Sequence, residues 1–108
     1  MQILSLVLIL VTTLMPKVAS APLSARQITI ENYTFKPATI SVPAGTTITW
    51  KNLDDDPHTV TANDGSFNSK GLAQGDTWSH RFDKPGTYPY HCSVHPMMQA
   101  TVIVKEAH

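Results

Sequence analysis

Thr87-Tyr88-Pro89-Tyr90-His91-Cys92-Ser93-Val94-His95-Pro96-Met97-Met98 decides how this chain is read. Its first half alternates, which places Tyr88, Tyr90 and Cys92 on one face of an extended segment and His91 on the other. Its second half breaks into a proline-containing loop that sets the single cysteine three residues before His95 and six before Met98. A thiolate, an imidazole and a thioether so spaced can converge on one soft metal ion. Mixed N/S trigonal sites with a weak axial thioether belong to electron-transfer copper, whereas zinc makes little use of methionine. Pro89 has no N–H for a ladder, so it should lie at an edge, at a bulge, or with its nitrogen facing outward.

The same period of two recurs through the chain. Ile28/Ile30, Ile40/Val42, Ile48/Trp50, Trp78/His80/Phe82 and Val102/Val104 mark strands with one buried face. Strands are expected over Gln27 to Ile30, Thr39 to Val42, Thr46 to Asn52, Thr59 to Ala62, Thr77 to Phe82, Thr87 to His91 and Ala100 to Lys105. Pro43-Ala44-Gly45, Asn63-Asp64-Gly65, Gln74-Gly75-Asp76 and Lys84-Pro85-Gly86 separate them with turn chemistry. No helix of useful length is visible. Seven or eight strands at this spacing predict an all-β, antiparallel sandwich.

A metal site needs a second imidazole, and His58 in Asp56-Pro57-His58-Thr59-Val60 offers it from 34 positions before Cys92. Only a folded sandwich brings the two together. One ligand on a remote segment and the others on one short loop make a site whose shape the scaffold holds.

Pro57-His58-Thr59-Val60, Phe82-Asp83-Lys84-Pro85-Gly86-Thr87-Tyr88 and Tyr90-His91-Cys92 with His95-Pro96 and Met98 together resemble the small blue-copper proteins, the cupredoxins. The short Cys-x2-His-x2-Met loop is most similar to that of the amicyanins, with pseudoazurins and plastocyanins as more distant relatives. The resemblance runs from about Gln27 to Lys105. It implies a Greek-key sandwich and one type 1 copper ion held by His58, Cys92 and His95 in the equatorial plane, with Met98 axial. Between Met97 and Met98 the residues alone do not choose; the resemblance favours Met98. The family often carries asparagine directly after the first histidine, where it ties the two ligand loops together. Thr59 stands there in this chain and offers one hydroxyl in place of an amide.

By resemblance, such proteins pass single electrons from a periplasmic dehydrogenase to a c-type cytochrome. Docking is expected to be weak and transient, on an apolar patch around His95, Pro96 and Met97, by a monomer that is not an enzyme. His58 should be the more buried imidazole and His95 the more exposed. His91 is expected to point away from the metal. His80 should be a buried or half-buried ring with a hydrogen-bond partner, and His108 a frayed terminus.

Residues 1–21 read as a secretory signal peptide. Ile3 to Leu14 is an apolar run too short to span a bilayer comfortably, and Val18-Ala19-Ser20-Ala21 supplies the small residues of a cleavage site. A retained anchor is the competing reading, and cleavage after Ser20, Ala21 or Ala25 is not separable. Residues 22–108 form one domain, periplasmic or secreted on this reading. Loss of Lys17 with the leader leaves seven basic against eight acidic residues, a net charge of −1 without basic runs. That gives no electrostatic case for nucleic acid or an anionic membrane. One cysteine precludes an internal disulfide and frees the thiol for metal.

Other readings use the same residues. A copper carrier or store would hand metal over without redox cycling. A Cys92 nucleophile with a histidine base would leave His58 and Met98 without a role. A multicopper enzyme would need a partner domain. Asp54-Asp55-Asp56 reads either as a docking surface for a basic cytochrome or as a solvated loop. Asn32-Tyr33-Thr34 matches the three-residue glycosylation pattern.

Overall fold

The computed structural model describes residues 25–107, so the expected leader and His108 lie outside the described residues. Eight strands follow in order: β1 Ala25–Glu31, β2 Thr34–Lys36, β3 Thr39–Pro43, β4 Thr46–Asn52, β5 Thr61–Ala62, β6 Thr77–Phe82, β7 Gly86–His91 and β8 Gln99–Lys105. They form two four-stranded sheets, β2-β1-β4-β6 and β3-β8-β7-β5. Among the described residues no helix is long and apolar enough to cross a membrane.

The all-β sandwich is the architecture that the alternation predicts, but each sheet holds one parallel pair. β1 runs parallel to β4, and β3 runs parallel to β8. The cause lies in residues 34–43. β2 pairs antiparallel to β1, and the chain then changes sheets near Pro37 and continues as β3 beside β8. The turn at Pro43-Ala44-Gly45, where Gly45 takes φ +94°, sends β4 back into the first sheet in the direction of β1. A parallel pair needs a crossover connection, and the passage through the opposite sheet supplies it.

β4 shows why alternation was so readable: Thr46, Ile48, Trp50 and Asn52 are buried and the residues between them are half-exposed. Trp50 sits among Phe67, Trp78, Phe82 and Tyr90, with its Nε1–H donating to Tyr90 Oη at 3.2 Å. Burial pushes the Tyr90 phenol well above its ordinary pKa, which keeps the hydroxyl protonated. His80 finds an aromatic partner where a hydrogen bond was expected: its ring stacks on Trp78 at 5.6 Å and 11°, and burial lowers its pKa.

Pro89 fits the sheet because of how its neighbours bond. Its partner in β8 is Thr101, whose N–H donates to Ala38 O on the other side, so that pair asks no hydrogen bond of Pro89. Pro89 O instead accepts from Asn63 N–H at 3.0 Å, beyond the end of β5. The nitrogen therefore faces outward, as its chemistry requires.

β2 escaped the sequence reading because three residues give too short an alternation. Its one inward side chain, Phe35, is buried and meets Tyr90 edge-on at 4.7 Å. Phe35→Ala should therefore cost about 3–5 kcal/mol, the range for truncating a buried aromatic. Urea unfolding of the metal-free protein reads it as a lower midpoint at unchanged slope, and a loss under about 1 kcal/mol would show that β2 is not part of the core.

Candidate metal centre

The site forms where β1, β4 and β7 end and β8 begins. His91 closes β7, so Cys92 leaves the ladder as the first loop residue, still aligned by the strand and fully buried. The loop folds back at once: Cys92 N–H donates to Met98 O at 3.1 Å, and Met98 N–H donates to His95 O at 2.9 Å. Seven residues, Cys92 to Met98, thus close into a compact turn whose ends are fixed by the β7–β8 pair His91↔Gln99.

His58 arrives from the other side. The expected strand from Thr59 contracts to Thr61–Ala62 because the preceding residues bond elsewhere. His58 exchanges both backbone hydrogen bonds with Leu72, and Val60 N–H donates to Ser69 Oγ. Thr59 N–H is then left to the sulfur, donating to Cys92 Sγ at 3.3 Å. A hydrogen bond to the cysteine sulfur is one of the levers that tune a copper–thiolate centre.

Three of the four expected ligands converge directly. Cys92 Sγ lies 3.7 Å from His58 Nδ1 and 3.8 Å from His95 Nδ1, and the three atoms fall within 4.8 Å of one another. Metal bonds of about 2.3 Å to sulfur and about 2.0 Å to nitrogen, opened to a trigonal angle, separate those atoms by about 3.7 Å. The donor set therefore fits one ion in both element type and spacing. His58 is fully buried and His95 is partly exposed, in the expected order. Met98, the last residue of that loop, is 3% exposed, whereas Met97 is 88% exposed. His91 points away and bonds Asn63 Oδ1 through Nδ1 at 2.6 Å.

Thr59 makes the loop tie with its one hydroxyl. Its Oγ1 accepts from Ser93 N–H at 2.8 Å and also meets Ser93 Oγ at 3.0 Å and Thr61 Oγ1 at 2.9 Å. The segment bearing His58 is thereby bonded to the loop bearing Cys92.

Several supporting residues gave no clear signal in the sequence. Asn52, buried at the end of β4, donates from Nδ2 to Asp56 O and Leu72 O, and its Oδ1 accepts from Asp54 N–H. This shapes the loop that carries the acidic triplet. Asp54 Oδ2 accepts from His58 Nε2–H at 2.8 Å, leaving Nδ1 free to face the metal. Partial burial works against that carboxylate, but N–H donors from Tyr33, Asn32 and His58 hold its pKa below the usual range. A carboxylate four positions before a candidate ligand was the available clue, and the neighbouring Asp55 and Asp56 hid it.

The Cupredoxin-like domain family matches residues 3–104. Amicyanin-alpha of Methylorubrum extorquens is 32% identical over 93 residues, which cover 82% of this chain and 78% of the relative. Plastocyanin of Scenedesmus fuscus is 31% identical over 84 residues, 66% of this chain and 86% of its own. Among solved structures, a purple cupredoxin from Nitrosopumilus maritimus aligns with a TM-score of 0.69 at 36% identity, over 74% of this chain and 99% of that one. The amicyanin and plastocyanin relatives are electron-transfer proteins, and the family binds type 1 copper, which the cluster of His58, Cys92 and His95 fits. Sheet order, the geometry of the three donors and these likenesses agree: the chain belongs to the cupredoxin-like family.

Proposed function

We propose that this protein is a one-electron shuttle whose copper ion is held by His58, Cys92 and His95, with Met98 as the axial ligand. The observation that carries the reading is the meeting of the Cys92 thiol with two imidazole nitrogens at 3.7 and 3.8 Å at one buried end of the sandwich. When bound there, copper supplies the Cu(II)/Cu(I) couple, and a site that rearranges little between the two states keeps the barrier to electron transfer low. The chain's own residues provide that constancy. Cys92 is fixed by its strand, by Thr59 N–H on the sulfur and by Met98 O on its own N–H. His58 is fixed by its two backbone hydrogen bonds with Leu72 and by Asp54 on Nε2. The burial of Met98 beside the exposure of Met97 supports Met98 as the axial ligand.

His95 is the port on this reading. Its loop presents Val94, Pro96 and Met97 to solvent, an apolar surface suited to a contact burying less than about 1,200 Å². A dehydrogenase as donor and a c-type cytochrome as acceptor follow from the likeness to amicyanins, as does the periplasm, with the leader-like residues 1–21 in support. A monomer fits a surface used for brief encounters.

Cu(II) added to the metal-free protein should give an intense visible thiolate-to-copper band at one equivalent, abolished in Cys92→Ser. A colourless stoichiometric complex would point to the carrier instead. Met97→Lys should leave that band unchanged while slowing electron exchange with a redox partner by about tenfold, since a charge now sits in the docking patch. Stopped-flow rates equal to wild type would remove the patch from the account.

A further inference from the structure

The β1–β2 turn reaches over the metal centre, although it supplies none of the expected ligands. Asn32 and Tyr33 both take φ +56°, left-handed backbone that a bulky side chain rarely adopts. One carboxylate holds them there: Asp54 Oδ1 accepts from Asn32 N–H at 2.7 Å and Asp54 Oδ2 from Tyr33 N–H at 2.9 Å. The same Oδ2 accepts from His58 Nε2–H. The Tyr33 hydroxyl donates to Asp56 Oδ2, so the side chain is tethered at both ends. Between those tethers the ring stands edge-on to His58 at 5.1 Å and 84°, and to His95 at 5.1 Å and 82°. The two imidazoles lie 5.0 Å apart.

We propose that Tyr33 is a positioning residue of this centre: strapped down by Asp54 and Asp56, its ring holds the imidazoles of His58 and His95 in their metal-facing orientation. Strained backbone persists only where its surroundings over-determine it, and such places gather at functional sites. Here the surroundings are the supports of the metal centre themselves. His58 has its own anchor in Asp54, but the ring of His95 rides on a short exposed loop and rests on Tyr33 and His58. Without Tyr33, His95 would be free to turn away whenever the metal's hold on it weakens. The contacts that carry the claim are between the chain's own side chains, which makes it testable on the metal-free protein. Its relevance to copper rests on the function proposed above.

Two substitutions separate positioning from folding. Tyr33→Phe keeps the ring and loses the hydroxyl tether. Tyr33→Asn removes the ring but suits φ +56° better than tyrosine does, so it should fold with stability equal to or above wild type. In the metal-free protein, the NMR contact between the His58 and His95 ring protons should persist in wild type and Tyr33→Phe and disappear in Tyr33→Asn. In the Cu(II)-loaded protein, release to a chelator should accelerate about ten- to a hundredfold in Tyr33→Asn and change little in Tyr33→Phe, in keeping with the loss of a residue that orients a ligand. A persistent His58–His95 contact in Tyr33→Asn would overturn the proposal, as would unchanged release. Failure of wild type to form the Cys92-dependent coloured complex would instead strike the proposed function, and the metal-free NMR result would still decide the role of Tyr33.

Discussion

The bond from Thr59 Oγ1 to Ser93 N–H, with Thr59 N–H on the Cys92 sulfur beside it, is the constraint on which the rest of this end of the molecule depends. His58 and Cys92 stand 34 residues apart, on segments with different neighbours. Backbone pairing alone brings them only roughly together, since β5 and β7 share just Thr61↔His91 and Ala62↔Tyr90. The threonine continues that register past the end of the ladder using side-chain and sulfur acceptors. A β-branched residue is stiff at χ1, so its hydroxyl stays aimed at Ser93.

The interior makes this precision possible. Trp50 fills the middle of the sandwich, and its bond to Tyr90 links an inner strand of one sheet, β4, to an inner strand of the other, β7. Tyr90 lies two residues before Cys92 on the same face, so a shift in core packing would be felt directly at the thiol. Close-packed interiors transmit strain rather than absorb it. A site that tolerates little movement is well served by a rigid aromatic core immediately behind it.

How much of this was legible in the sequence depended on whether period and spacing carried the information. Thr46–Asn52 and Thr77–Phe82 have the predicted bounds because each alternates over six or seven residues. The convergence of His58, Cys92 and His95 was legible because residue type and spacing are specific for soft metals. The parallel pairs were not, since direction is set by where the chain changes sheets, and three residues of β2 do not announce that. Tyr33 was not legible either. It was noticed only within a three-residue glycosylation pattern, and nothing local reveals that a turn after β1 bends through positive φ onto a carboxylate twenty-one residues later.

The support of the centre is divided by the rigidity of what bears each donor. Cys92 and His58 sit at the ends of paired backbone, and each needs only one or two further bonds to be fixed. His95 and Met98 lie on a loop closed by two backbone hydrogen bonds, with Val94, Pro96 and Met97 exposed around them. An exposed loop is what a docking surface requires, and a mobile one is what a redox site must avoid. Bringing a third segment across, in the form of Tyr33, reconciles the two demands: it braces the half-exposed imidazole from the side while leaving Met97 and Pro96 open to solvent. The left-handed backbone at Asn32 and Tyr33 is the cost of that arrangement, and Asp54 offsets it with the same carboxylate that orients His58.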